Sequence, residues 1–157
     1  MNSKAKPKLN SKTTRKNTHY KNKTLKLGGA TEKQKSNIVQ TFLAILNAIQ
    51  LYHWKTKSYA QHKATDTLYE ELSSQIDKFV EVLNGKSKMR ISMFSKTLAL
   101  YDLKTKRQLN SKLFEFRDFL IELERVFDPK KDSDLFSIRD DMLIAVNQFL
   151  YLLTLDK

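Results

Sequence analysis

The stretch 59-YAQHKATDTLYEELSSQIDKFVEVLNG-85 decides the fold. Leu68, Leu72, Ile76, Phe79 and Leu83 recur at steps of three and four, the period that sets one stripe of a helix against a core. The spacing predicts a long amphipathic helix from about Tyr59 to Asn84 that stops at Gly85. Gly and Pro are scarce across the 157 residues: Gly28, Gly29 and Gly85, with Pro7 and Pro129. A β-sandwich or barrel needs many tight turns, so this poverty points to long helices and few corners.

Working outward, the same period appears three more times. Upstream, Thr31-Glu32-Lys33-Gln34 has capping-box spacing, and Ile38, Phe42, Ile45, Leu46, Ile49 and Tyr52 follow at helical intervals. That helix is expected to run to His53-Trp54, before a polar corner from Lys55 to Ser58. Downstream, Leu109, Leu113, Phe116, Leu120, Leu123 and Phe127 mark a third helix over about 107–127. Pro129 cannot continue a helix, so Asp128 to Asp132 is the corner. A fourth helix over about 133–155 is expected to bury Leu135, Ile138, Met142, Ala145, Phe149 and Leu152. Residues 86–106 read two ways. Met89, Ile91 and Met93 alternate as an extended piece does, while Leu98 to Leu103 suits a helical turn or two. Two amphipathic hairpins joined by this longer segment predict an all-α, ferritin-like four-helix bundle over residues 31–157, with a crossover between the second and third helices.

Charge sets the first 30 residues apart. The chain carries +12, and residues 1–28 hold nine of its cations (Lys4, Lys6, Lys8, Lys12, Arg15, Lys16, Lys21, Lys23, Lys26) with no acid, which leaves +3 for the rest. This polar stretch shows no apolar period, so residues 1–30 are expected to be a disordered basic arm. A localisation signal or a solubilising tail has the same composition. Yet a run of Lys and Arg suits nucleic acid, because each phosphate it neutralises releases a counterion, without regard to sequence. His19 lies in the arm and has no evident role. No Cys is present, which removes disulfides, thiolate zinc sites and cysteine nucleophiles. With no apolar run behind the charged N-terminus and none of membrane-spanning length, the chain is expected to be soluble and intracellular, with no membrane partner.

The residues that carry chemistry flank and line the second helix. His53 ends the first helix, His62 opens the second, and Asp66, Asp77 and Glu81 follow. At 100° per residue, His62, Asp66, Asp77 and Glu81 fall within an arc of about 100°, read as lying beside the apolar stripe. Imidazole with carboxylate suits iron, manganese or zinc. Nineteen residues of helix separate His62 from Glu81 by about 28 Å, so one ion cannot touch both. The first helix offers no acid after Glu32 and no His follows His62, so a centre within one chain is not expected. An antiparallel two-fold pairing of the second helix remains, with His62 and Asp66 of one chain against Asp77 and Glu81 of the other.

His53-Trp54, His62-x-x-x-Asp66 and Asp77-x-x-x-Glu81 together resemble the inter-subunit ferroxidase signature of the Dps miniferritins. The resemblance covers about residues 31–155. It implies His53, His62 and Asp66 as one half-site for iron, mono- or di-nuclear, and Asp77 and Glu81 as the partner's half. It further implies a homo-oligomer that oxidises Fe(II) and binds DNA through its basic arm. Three features depart from the family pattern, one of them a crossover that is not evidently helical. The stretch between the two His is a few residues shorter, and Val80-Glu81-Val82 replaces the usual Ala-Glu-Arg. The segment from Tyr52 to Tyr59 is also similar to uncharacterised ferritin-like proteins of large DNA viruses and phages, which extends the possible location from cytoplasm to virion or nucleoid. Against this stand plainer readings. His/Asp and Asp/Glu pairs four residues apart are common on solvated faces. Trp54 is expected to plug the core or an interface, and packing accounts for Tyr59 and Tyr69. A basic helical protein that packages nucleic acid with a vestigial metal site, or a purely structural oligomer, remains open.

Overall fold

The computed structural model describes residues 29–87 and 90–155. The nine arm cations, His19, Lys88 and Met89 therefore lie outside the described residues. The chain forms α1 (Glu32–Lys55), α2 (Tyr59–Lys86), α3 (Lys106–Glu122), a 3-10 turn (Leu123–Arg125) and α4 (Ser133–Leu155), with no strand among the described residues.

Each start follows from its cap. Thr31 Oγ1 accepts from the Gln34 N–H at 3.2 Å while Gln34 Oε1 accepts from the Thr31 N–H at 2.9 Å, closing the expected capping box. Ser58 caps α2 by accepting from the Gln61 N–H. A second capping box, Thr105 with Gln108, starts α3 and was not anticipated.

The expected stop of α2 at Gly85 is corrected to Lys86. Gly85 keeps an ordinary negative φ, and two contacts hold the last turn closed. Ser87 Oγ donates to the Leu83 carbonyl at 2.8 Å, and Lys86 Nζ reaches Asp134 at 2.6 Å and Asp132 at 3.2 Å. At the other corner, α3 ends before residue 127 because the backbone tightens to 3-10 geometry ahead of Pro129. Asp128 then accepts from the Lys130 and Lys131 N–H groups, which hold its carboxyl below the usual carboxylate range.

Most of the expected stripe residues are buried, and four helices share one core. Ile138 and Leu46 are only half-buried, and Leu152 is 43% exposed while Leu153 takes its place inside. After Phe149 the core is continued by Leu150 and Leu153. Phe42 stands at the centre, edge-on to Phe79, Phe116 and Phe119 with ring centroids 5.3–6.3 Å apart. The polar residues Lys35, Ser36, Thr65 and Arg139 are also buried, which an apolar-period reading does not see.

Among the described residues, α2 packs against α1 and α4, and α3 against the same two, so α1/α4 and α2/α3 are the diagonals. Residues 90–105 hold no helix, so the segment left open between an extended piece and a helical turn at Leu98–Leu103 has no such turn. Leu98, Ala99 and Leu100 face outward, so no burial offsets the cost of nucleating a turn. The segment runs extended along α1 instead. Near the start of α1, Phe94 donates its N–H to Ser36 Oγ at 2.9 Å and Gln40 Nε2 donates to the Thr97 carbonyl at 2.9 Å; at the far end Lys55 pairs with Asp102. No helix among the described residues is long and apolar enough to cross a membrane.

Candidate metal centre

The turn between α1 and α2 brings His53 and His62 face to face. Their rings stack at 3.9 Å between centroids with planes 24° apart. Each ring reaches the other residue's backbone: His53 Nδ1 lies 3.0 Å from the His62 carbonyl, and His62 Nδ1 lies 3.2 Å from the His53 carbonyl. A carbonyl only accepts, so each Nδ1 is the nitrogen that donates, and each Nε2 is the nitrogen left for another partner. A second ring nitrogen donating to a backbone carbonyl is the usual support behind a metal-ligating histidine.

Thr65 completes the arrangement. Its buried hydroxyl lies 2.7 Å from the Gln61 carbonyl, 3.0 Å from the His62 carbonyl and 3.2 Å from His53 Nδ1. Sequence reasoning missed Thr65; its signal was a hydroxyl three residues beyond His62, at a position on the apolar side of α2. Gln61 ties the same corner together by accepting from Tyr52 and Thr56.

The carboxylates are placed differently. Asp66 is half-buried, one turn beyond His62, with Lys63 Nζ at 3.6 Å. Asp77 and Glu81 are exposed further along α2 and form no ion pair among the described residues. The row begins on the shoulder of the apolar stripe and then turns away from it, so the expectation that all four lie beside the stripe holds only for its first half. Among the described residues no three His, Asp or Glu side chains come close enough to hold an ion. One chain thus presents a paired-imidazole end and, separately, an acidic end. Trp54 is 69% exposed and Tyr59 79% exposed, so neither plugs the core.

Comparison with known proteins gives a phage context. A protein of Enterobacteria phage T4, described as an uncharacterized 14.6 kDa protein in the mobD-ri intergenic region, is 39% identical over 67 residues, covering 40% of this chain and 52% of the relative. The chain thus spans about half the length of that curated relative. No solved structure matches. A sequence model of one family covers residues 53–153, which takes in all five candidate ligands and leaves out the basic arm. The chain belongs to that family, described as "Family of unknown function (DUF5856)".

Proposed function

We propose that the protein is a Dps-like, ferritin-like oligomer in which two copies of α2 pair about a two-fold axis to bind and oxidise Fe(II), with the basic arm holding DNA without sequence preference. The histidine pair carries the proposal. Two imidazoles held by reciprocal Nδ1 donation, each with Nε2 left to bind metal, are half of a nitrogen-and-carboxylate site in search of oxygen ligands. A two-fold axis passing α2 midway between Glu71 and Leu72 supplies them. In that register His62 stands opposite Glu81 and Asp66 opposite Asp77, both at once, and Glu70 meets Ser73 rather than another acid.

The bundle supports the reading: an extended segment runs from the end of α2 back along α1, and the diagonals match a ferritin-like connectivity. Exposed Trp54 and Tyr59 flank the histidine end and offer apolar surface for a partner to cover. The carboxylates favour Fe(III) over Fe(II), so the site helps the metal lose an electron to dioxygen or peroxide, and manganese or zinc fits the same donors. Comparing Fe(II) oxidation by wild type and Asp77→Ala tests the site. A large loss of rate is expected, and equal rates would remove the iron proposal.

A second reading has its own observation: among the described residues no complete ligand set exists within one chain. In it, the protein coats nucleic acid and the ligands are vestigial. Elemental analysis of purified protein separates the two, since bound metal belongs only to the first.

A further inference from the structure

The net charge of the folded part conceals a division between its faces. Residues 29–57 and 87–107 hold ten Lys/Arg and two acids, whereas 58–86 and 108–157 hold ten Lys/Arg and fifteen acids. The first two stretches are neighbours in space, because the crossover lies along α1 through the Phe94–Ser36 and Thr97–Gln40 hydrogen bonds and the Asp102–Lys55 pair. Both of their acids are already matched, Glu32 to Lys35 at 2.9 Å and Asp102 to Lys55. Lys33, Arg90, Lys96 and Lys104 are exposed and form no ion pair among the described residues. Like charges gathered on one side with no internal counterion are a standing cost to the fold, and an external polyanion removes it.

We infer that the α1–crossover face binds single-stranded nucleic acid, with Arg90, Lys96 and Lys104 on separate phosphates several nucleotides apart along the strand and Phe94 as a platform for a base. The inference extends the nucleic-acid half of the reading above and is independent of its metal half. Phe94 is 63% exposed and sits between Arg90 and Lys96, the alternation of cation and aromatic that single-strand binders use. The extended backbone spreads these cations along most of α1, whose 24 residues span about 36 Å. A linear track fits a linear polyanion, whereas a membrane-surface element gathers its charges along one amphipathic helix. The track also begins where the arm joins, since Gly29 and Ala30 border the same hollow as Lys86 and Ser87.

The test uses the full-length chain, a fluorescent single-stranded oligonucleotide, the matching duplex and anionic vesicles. For the triple variant Arg90→Gln/Lys96→Gln/Lys104→Gln, the slope of log affinity against log salt should flatten by about 2, at roughly 0.7 per lost phosphate contact. Phe94→Ala should weaken single-strand binding by about tenfold and leave duplex binding unchanged. All four positions are exposed, and unchanged circular dichroism confirms that the variants fold. A triple variant with wild-type slope would overturn this face while leaving the arm reading intact. Failure of wild type to bind any oligonucleotide would overturn both. Equal losses from the triple variant on vesicles, with none on oligonucleotide, would assign the face to membrane and overturn the inference.

Discussion

Thr65 shows how one hydroxyl couples stability to the candidate site. It is fully buried and bonds the two carbonyls and the imidazole that fix the α1–α2 corner. Thr65→Val keeps the shape but removes the hydroxyl, so unfolding in urea should show a loss of about 1–3 kcal/mol. Because the same hydroxyl orients His53, metal affinity measured by titration should fall by about 10- to 100-fold, the usual cost of removing a ligand's support. Retained affinity in a variant that is only less stable would separate the two roles. Phe42 belongs to the same scale. Its ring meets three other phenylalanines, and Phe42→Ala should cost about 3–5 kcal/mol by denaturant unfolding. The histidines and acids were legible as residue types at set spacings. The reciprocal Nδ1 bonds and Thr65 were not, because they depend on how tightly the Lys55–Ser58 corner folds back.

Elements were legible where an apolar period ran for several turns. All five stripe residues of α2 are buried, as are all six of the third amphipathic run, from Leu109 to Phe127. Boundaries failed where a side chain overruled a local signal, and Gly85 is the clearest case. It reads as a stop, but Lys86 is anchored to α4 and the helix continues through it. A Cβ at Gly85 meets nothing within 4 Å, so Gly85→Ala should stabilise the protein by roughly 0.5–1 kcal/mol, seen as a higher urea midpoint. A lower midpoint would mean that this turn needs glycine after all. The anchor itself predicts a pH dependence. The hydrogen bond from Lys86 holds the Asp134 carboxyl below its usual range, and the bond to Asp134 raises the Lys86 ammonium. Asp134 therefore adds stability above the unfolded carboxylate value of about 3.9, and that contribution is lost as pH falls through the lowered native value. Lys86 behaves in mirror image: its contribution is complete below about 10.4 and lost as pH rises through the raised native value. Urea midpoints followed from pH 6 to pH 2 should fall less steeply for Asp134→Asn than for wild type. The crossover lay beyond sequence reasoning for a different reason: its backbone bonds go to side chains of three helices, Ser36 and Gln40 of α1, Asn84 of α2 and Gln108 of α3, which no local pattern announces.

At the scale of the whole molecule, the fold places two incomplete half-sites on one helix and separates its charges between two faces. The protein has paired imidazoles at one end of α2 and exposed carboxylates towards the other, and the proposed function requires a second copy to bring them together. That pairing is the central claim, and complementation tests it most directly. His62→Ala and Asp77→Ala each damage both sites of a homodimer, so each alone should oxidise Fe(II) poorly. Unfolded together and refolded, half of the dimers should be mixed, and each mixed dimer holds one intact site and one doubly damaged site. The account predicts that the mixture recovers about a quarter of the wild-type rate. A mixture no faster than either variant alone would contradict it.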